Sequence, residues 1–135
     1  SEANEIVPGK RPLSSMSPTI VMKDENLYFT TGSPGGSRII SAVLQSIINI
    51  VDFGMNLEEA NMAKRIHHQW QPDLLQIETS IDSVLKSKLL KLKYNIKIIK
   101  PATCLQTIMY KDNLYYGYGD FRRPDAFASG EIYDW

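Results

Sequence analysis

The sequence predicts an α+β fold, helices layered on antiparallel sheet, and three observations predict it. Short β-branched and aromatic runs pair off across turn residues near both ends of the chain. Stretches of helical periodicity fall in a block between them. The composition suits one packed core: 135 residues, 43% apolar and 10% aromatic, fit a single domain over 1–135 and argue against general disorder.

The elements follow in order. Residues 1–17 carry Pro8, Gly9, Pro12 and the serines Ser1, Ser14, Ser15 and Ser17, so this stretch reads as a loop or extended arm. Thr19–Lys23 and Leu27–Thr31 are strand-like, and Asp24-Glu25-Asn26 between them predicts a hairpin with a three-residue loop. Gly32-Ser33-Pro34-Gly35-Gly36-Ser37-Arg38 then leads into a helix that runs to about Phe53. Ile40, Val43, Leu44, Ile47 and Val51 share one face of it, and Ile39, Ile48 and Ile50 carry the apolar surface most of the way round. Only Ser41, Gln45 and Asn49 leave a polar stripe, so this helix is expected to lie between layers, with Gly54 as its left-handed cap.

Asn56 with Glu59 three residues later has the form of a capping box for a short helix. Arg65 to Pro72 is irregular, and Leu74–Glu78 reads as a strand. A third helix, about Asp82 to Lys93, is capped by Thr79 or Ser80 and turns Val84, Leu85, Leu89 and Leu92 inward. Strands are expected at Asn95–Lys100, Leu105–Tyr110 and Leu114–Tyr118, the last two joined by Lys111-Asp112-Asn113. The tail from Gly119 to Trp135 is irregular, and strands are expected in antiparallel pairs throughout.

Charge and cysteine content narrow the function. Fifteen basic residues balance fifteen acidic ones, which removes the long-range attraction that non-specific nucleic-acid binding needs. The most apolar run, Ile39 to Val51, is broken by Ser41, Gln45, Ser46 and Asn49, so no membrane span is expected. A chain that opens on Ser1, in a polar stretch without a basic start or apolar middle, is expected to have no signal peptide and to be processed, trimmed or engineered. Cys104 is the sole cysteine; it forms no internal disulfide, gives no metal spacing, and reads as a buried small residue.

The glycine loop is the strongest local signal. It leaves a strand and enters a helix, where free N–H groups and the helix dipole suit an anion or a developing oxyanion. The spacing fits neither nucleotide-binding fingerprint, and a plain tight turn is the alternative. Pro12-Leu13-Ser14-Ser15-Met16-Ser17-Pro18 sets hydroxyls between two stiffening prolines, either as carboxylate donors or as a polar loop. His67-His68 are adjacent and point different ways on any regular element, so they read as structural and no metal or other cofactor is expected. Lys86, Lys88, Lys91, Lys93, Lys97 and Lys100 interleave with Leu and Ile as a solvated face. Asp120-Phe121-Arg122 reads as an Asp–Arg pair that pins the C-terminal loop.

Taken together, four blocks resemble γ-glutamyltranspeptidase: Pro12-Leu13-Ser14-Ser15-Met16-Ser17-Pro18-Thr19, Thr31-Gly32-Ser33-Pro34-Gly35-Gly36-Ser37-Arg38-Ile39-Ile40, Phe53-Gly54-Met55-Asn56 and His67-His68-Gln69-Trp70. They occur in order over nearly the whole chain, which is similar to the C-terminal part of that enzyme's small subunit. The resemblance implies an N-terminal-nucleophile hydrolase, an αββα sandwich made by self-cleavage of a precursor. It implies a Thr that attacks γ-glutamyl amides such as glutathione, giving a γ-glutamyl-enzyme. It places Ser14 and Ser15 on the serine pair that holds the glutamyl α-carboxylate, and Gly35 and Gly36 on the oxyanion-hole glycines.

The family's Thr should lie several tens of residues before Ser14, where only thirteen residues stand here. Ser1 is the one candidate substitute, a hydroxyl beside a free amine, but it opens a polar arm rather than a strand. The chain is therefore expected to be inactive alone, with the large subunit or upstream segment of the same precursor as its partner. Homo-oligomerisation is the other expected way to cover the apolar helix, and a well-folded monomer in sedimentation would count against both. The family's usual setting is periplasmic or secreted. Two other classes stay open: a non-catalytic remnant, and a module that binds anions or carboxylates.

Overall fold

A computed structural model describes residues 2–78 and 82–130. The start at Ser1, the caps expected at Thr79 or Ser80, and Trp135 lie outside the described residues. After a short 3-10 turn at Glu2–Asn4, the elements are β1 (Thr19–Lys23), β2 (Asn26–Gly32), α1 (Ile39–Val51), α2 (Leu57–Met62), β3 (Ile66–His67), β4 (Leu75–Glu78), α3 (Ser83–Lys91), β5 (Ile96–Ile99), β6 (Gln106–Lys111) and β7 (Leu114–Gly119). A second 3-10 turn, Gly36–Arg38, leads directly into α1.

Two sheets form. The larger has the order β1-β2-β6-β7 and is antiparallel throughout. Its two hairpins close through two-residue loops, Asp24-Glu25 and Asp112-Asn113, with Lys23 opposite Asn26 and Lys111 opposite Leu114. All four loop residues have positive φ (49°, 64°, 53° and 60°), the geometry whose twist matches the strands. The expected three-residue first loop is thus one residue too long, because Asn26 already pairs. The smaller sheet has the order β3-β4-β5 and corrects the expectation of antiparallel pairs throughout. β4 and β5 are parallel because α3 carries the chain back between them, a connection a hairpin loop is too short to make.

Helices α1 and α2 cover one face of the large sheet. Strand alternation turns Phe29, Thr31 and Thr107 to that side, where Phe29, Ile50 and Ala60 form a fully buried cluster. A second cluster joins Ile39, Ala42, Val43 and Leu105. The buried face of α1 is therefore Ile39, Ala42, Val43, Ser46 and Ile50. Of the expected face, Ile40 (55% exposed), Leu44 (54%) and Val51 (51%) point away from the sheet. The helix is apolar nearly all round, and it sets its small residues Ala42 and Ser46 against the strands, where they allow close approach.

Helix α3 buries none of its residues, and Val84, Leu85 and Leu92 are exposed rather than inward, because nothing among the described residues lies over them. Asp82 caps it, accepting from the Val84 and Leu85 amides at 2.9 and 3.4 Å. The capping box at α2 forms as expected: Asn56 Oδ1 accepts from Glu59 N at 2.9 Å, and Asn56 N donates to Glu59 Oε2 at 3.0 Å. After β7 the tail folds back across the sheet. A Cβ at Gly117 would stand 2.9 Å from that of Ala128, and one at Gly119 2.7 Å from Phe127 N, so these glycines make the crossing sterically open.

Candidate functional site

The glycine turn begins where β2 ends. Ser33 accepts a hydrogen bond from Cys104 N at 3.0 Å, tying the turn to the segment before β6. Gly35 (φ 146°) packs so closely on that segment that a Cβ would stand 2.6 Å from Thr103 Cγ2 and 2.9 Å from Ala102 O. Gly36 (φ 59°) has the opposite surroundings: nothing lies within 4 Å of where its Cβ would be. Only glycine takes both conformations without strain. The carbonyls of Gly35 and Gly36 accept from Arg38 N and Ile39 N, starting α1. Among the described residues, neither glycine amide donates to a protein acceptor.

The serine pair lies on the arm that enters β1. Ser14 is exposed and its Oγ accepts from Met16 N at 3.2 Å; Ser15 is half-buried and its carbonyl accepts from Ser17 Oγ at 3.1 Å. Higher on the arm, Leu13 N donates to Asn4 Oδ1 at 2.9 Å. Thr19 of β1 pairs with Thr31 of β2. Ser15 stands four residues before Thr19 and Gly35 four residues after Thr31, so both segments leave the same end of one hairpin. No hydrogen bond joins them among the described residues. Clefts of about 800, 580 and 550 Å³ among the described residues are lined by other residues.

The remaining candidates have ordinary partners. His67 bonds Ser41 Oγ through Nδ1 (2.8 Å) and Gln69 Oε1 through Nε2 (3.0 Å), while His68 bonds Asp73 (3.1 Å) and accepts from Trp70 N. Adjacent in sequence, the two rings serve different neighbours. The six lysines are all exposed, and Cys104 is buried.

One cluster is larger than the sequence suggests. Asp120 does pair with Arg122 (3.1 Å), but it also accepts from Arg65 Nη2 at 2.6 Å, from Leu105 N at 3.0 Å and from Arg122 N at 3.0 Å. Glu78 accepts from Arg122 Nε at 3.1 Å and from Arg65 N at 3.4 Å. Arg65 Nη1 reaches both the carbonyl (3.3 Å) and the hydroxyl (3.0 Å) of Thr103. Asp120 is 0% and Arg65 5% exposed, and two cations face two anions. Burial alone would raise the Asp120 carboxyl, but the Arg65 bond and charge and the Arg122 and Leu105 amides together hold it below its ordinary value. Burial lowers the Arg65 guanidinium, with Arg122 pushing the same way and Asp120 and Glu78 pushing back. Sequence reading missed Arg65 and Glu78. The available signal was the Asp120-x-Arg122 charge pair just after β7, which marks one end of such a network.

Comparison with known proteins adds the following. A family profile described as Gamma-glutamyltranspeptidase matches residues 1–130. The chain is 48% identical over 131 residues to a glutathione hydrolase proenzyme of Escherichia coli K12, covering 96% of this chain and 22% of that protein. It is 43% identical over 141 residues to one from Pseudomonas sp. A14, covering 96% and 24%. Thus it spans less than a quarter of the length of these curated relatives. A mutant of Helicobacter pylori gamma-glutamyltranspeptidase superposes with a TM-score of 0.83 at 44% identity, over 91% of this chain and 69% of that one. The Pseudomonas nitroreducens enzyme complexed with L-DON gives 0.84 at 33%, over 99% and 70%. The α+β arrangement described above is therefore the one those structures have.

Proposed function

Because the chain belongs to the γ-glutamyltranspeptidase family, we propose that it forms part of a γ-glutamyltransferase/glutathione hydrolase and supplies the electrostatic half of the pocket. Gly35 and Gly36 offer N–H groups to the γ-carbonyl oxygen once an attacking hydroxyl makes it tetrahedral. Ser14 and Ser15 donate to the glutamyl α-carboxylate. The attacking Thr belongs to the upstream part of the precursor, its own α-amine taking the hydroxyl proton. Its oxygen bonds to the γ-carbonyl carbon, the amide C–N bond breaks as the departing amine takes that proton, and water or an amino group then accepts the γ-glutamyl group from the ester.

One observation carries this reading. The Thr19–Thr31 register sends the serine pair and the glycine turn off the same end of one hairpin, and the glycine amides have no protein acceptor among the described residues. The substrates are glutathione or other γ-glutamyl compounds. The upstream remainder of the precursor is the partner that covers Ile40, Leu44 and Val51, a second copy being the alternative. A periplasmic or secreted setting goes with the family; among the described residues no helix is long and apolar enough to cross a membrane.

The test is release of chromophore from a γ-glutamyl anilide. These 135 residues alone are expected to give none, and the same residues joined to an upstream region carrying the Thr are expected to turn over. Activity of the isolated chain that Ser1→Ala abolishes would overturn this assignment of the nucleophile.

A further inference from the structure

The glycine turn does not hold itself. Gly35 rests on Ala102 and Thr103, and Ser33 bonds Cys104 N, so residues 102–104 form the wall that fixes where the turn's amides point. That wall carries little regular structure of its own, since it precedes β6 and belongs to no strand. It is gripped from behind. Arg65 Nη1 bonds both oxygens of Thr103, and Asp120 holds Arg65 Nη2 at 2.6 Å and Leu105 N at 3.0 Å. Glu78 and Arg122 close the network around them. The side chain of Thr103 therefore faces two ways: its hydroxyl takes an Arg65 bond and its methyl is the atom a Gly35 Cβ would meet first.

We infer that Arg65, fixed by Asp120, is a positioning residue for the Gly35–Gly36 amides and acts on them through Thr103. The inference rests on the oxyanion reading above for its catalytic meaning, though not for its structural part. An oxyanion donor is engaged only after the carbonyl becomes tetrahedral, so a displaced turn lowers kcat and leaves KM in place. A displacement approaching 1 Å costs up to about a hundredfold.

The first test is on this chain itself, with ¹⁵N-labelled protein. Thr103→Val keeps the methyl but loses the hydroxyl's bond from Arg65, leaving only the one to the main-chain carbonyl, and Thr103→Ser keeps both bonds but loses the methyl. Both are expected to shift the Gly35 and Gly36 amide resonances while those of Gly9 and Gly54 stay in place. Unmoved Gly35 and Gly36 resonances in both variants would overturn the inference. The second test is kinetic, in the protein joined to its upstream region: Arg65→Lys and Thr103→Val are expected to lower kcat about tenfold or more at unchanged KM. Wild-type kcat, or a change confined to KM, would overturn it. Should Arg65→Lys fail to fold, Thr103→Val, neutral and nearly isosteric, decides the matter alone. Gly35→Ala separates the two claims. If it lowers kcat while the Thr103 variants do not, only this inference falls; if it too leaves kcat unchanged, the oxyanion reading falls.

Discussion

The two halves of the candidate pocket are built differently. The glycine turn is buttressed by buried charge: Gly35 sits on Thr103, Thr103 on Arg65, and Arg65 on a fully buried Asp120. The serine arm, by contrast, is held by short-range bonds such as Met16 N to Ser14 Oγ and Ser17 Oγ to the Ser15 carbonyl, and Ser14 is exposed. On the proposed reading, the difference teaches that one chain can preorganise oxyanion donors without preorganising the carboxylate clamp. Donors that must not reorganise during reaction gain most from rigid support. A clamp that grips ground state and transition state alike can be completed by the ligand or by a neighbouring segment.

The largest expected effect comes from breaking the buttress. Asp120→Ala leaves Arg65 and Arg122 buried without their shared anion and is expected to cost about 3–5 kcal/mol in urea unfolding. A loss under about 1 kcal/mol would show that the network is ornamental. The pH dependence sharpens the same point. The folded-state Asp120 carboxyl lies below its ordinary value of 3.8, so its stabilisation is present in full above that value and is lost as the pH falls through the lowered one. Acid unfolding monitored by circular dichroism is expected to steepen below about pH 4, and Asp120→Asn is expected to remove that limb. The smallest effect belongs to the arm. Ser14→Ala is expected to change stability by less than about 0.5 kcal/mol, while raising KM for a γ-glutamyl anilide in the joined protein. An Ser14→Ala protein that unfolds much more readily would mean that the arm is as firmly built as the turn.

Much of the fold was legible in the sequence because its signals are local. The capping box at Asn56 and Glu59, the hairpin strands and the left-handed Gly54 each depend on neighbours a few residues away. The orientation of α1 was not legible. A helix with Ile39, Ile40, Val43, Leu44, Ile47, Ile48, Ile50 and Val51 offers several apolar faces, and the choice among them is made by the sheet, which receives Ala42 and Ser46. α3 misled for a related reason: its apolar side has the right spacing but nothing among the described residues to lie against. The glycine and serine motifs stood out as blocks, and their resemblance to a family located them. Arg65 did not, because its partners are Asp120 and Thr103, 55 and 38 positions away. No periodicity in the sequence records an ion pair of that span.

The return of the tail across Gly117 and Gly119 has a consequence for assembly. Ile108 lies directly opposite Gly117 in the ladder, so Ala128 occupies the same side of the sheet as the uncovered Ile20 and Ile108. Whatever roofs that side has to stop short of the last strand, where residues 126–128 have taken the seat.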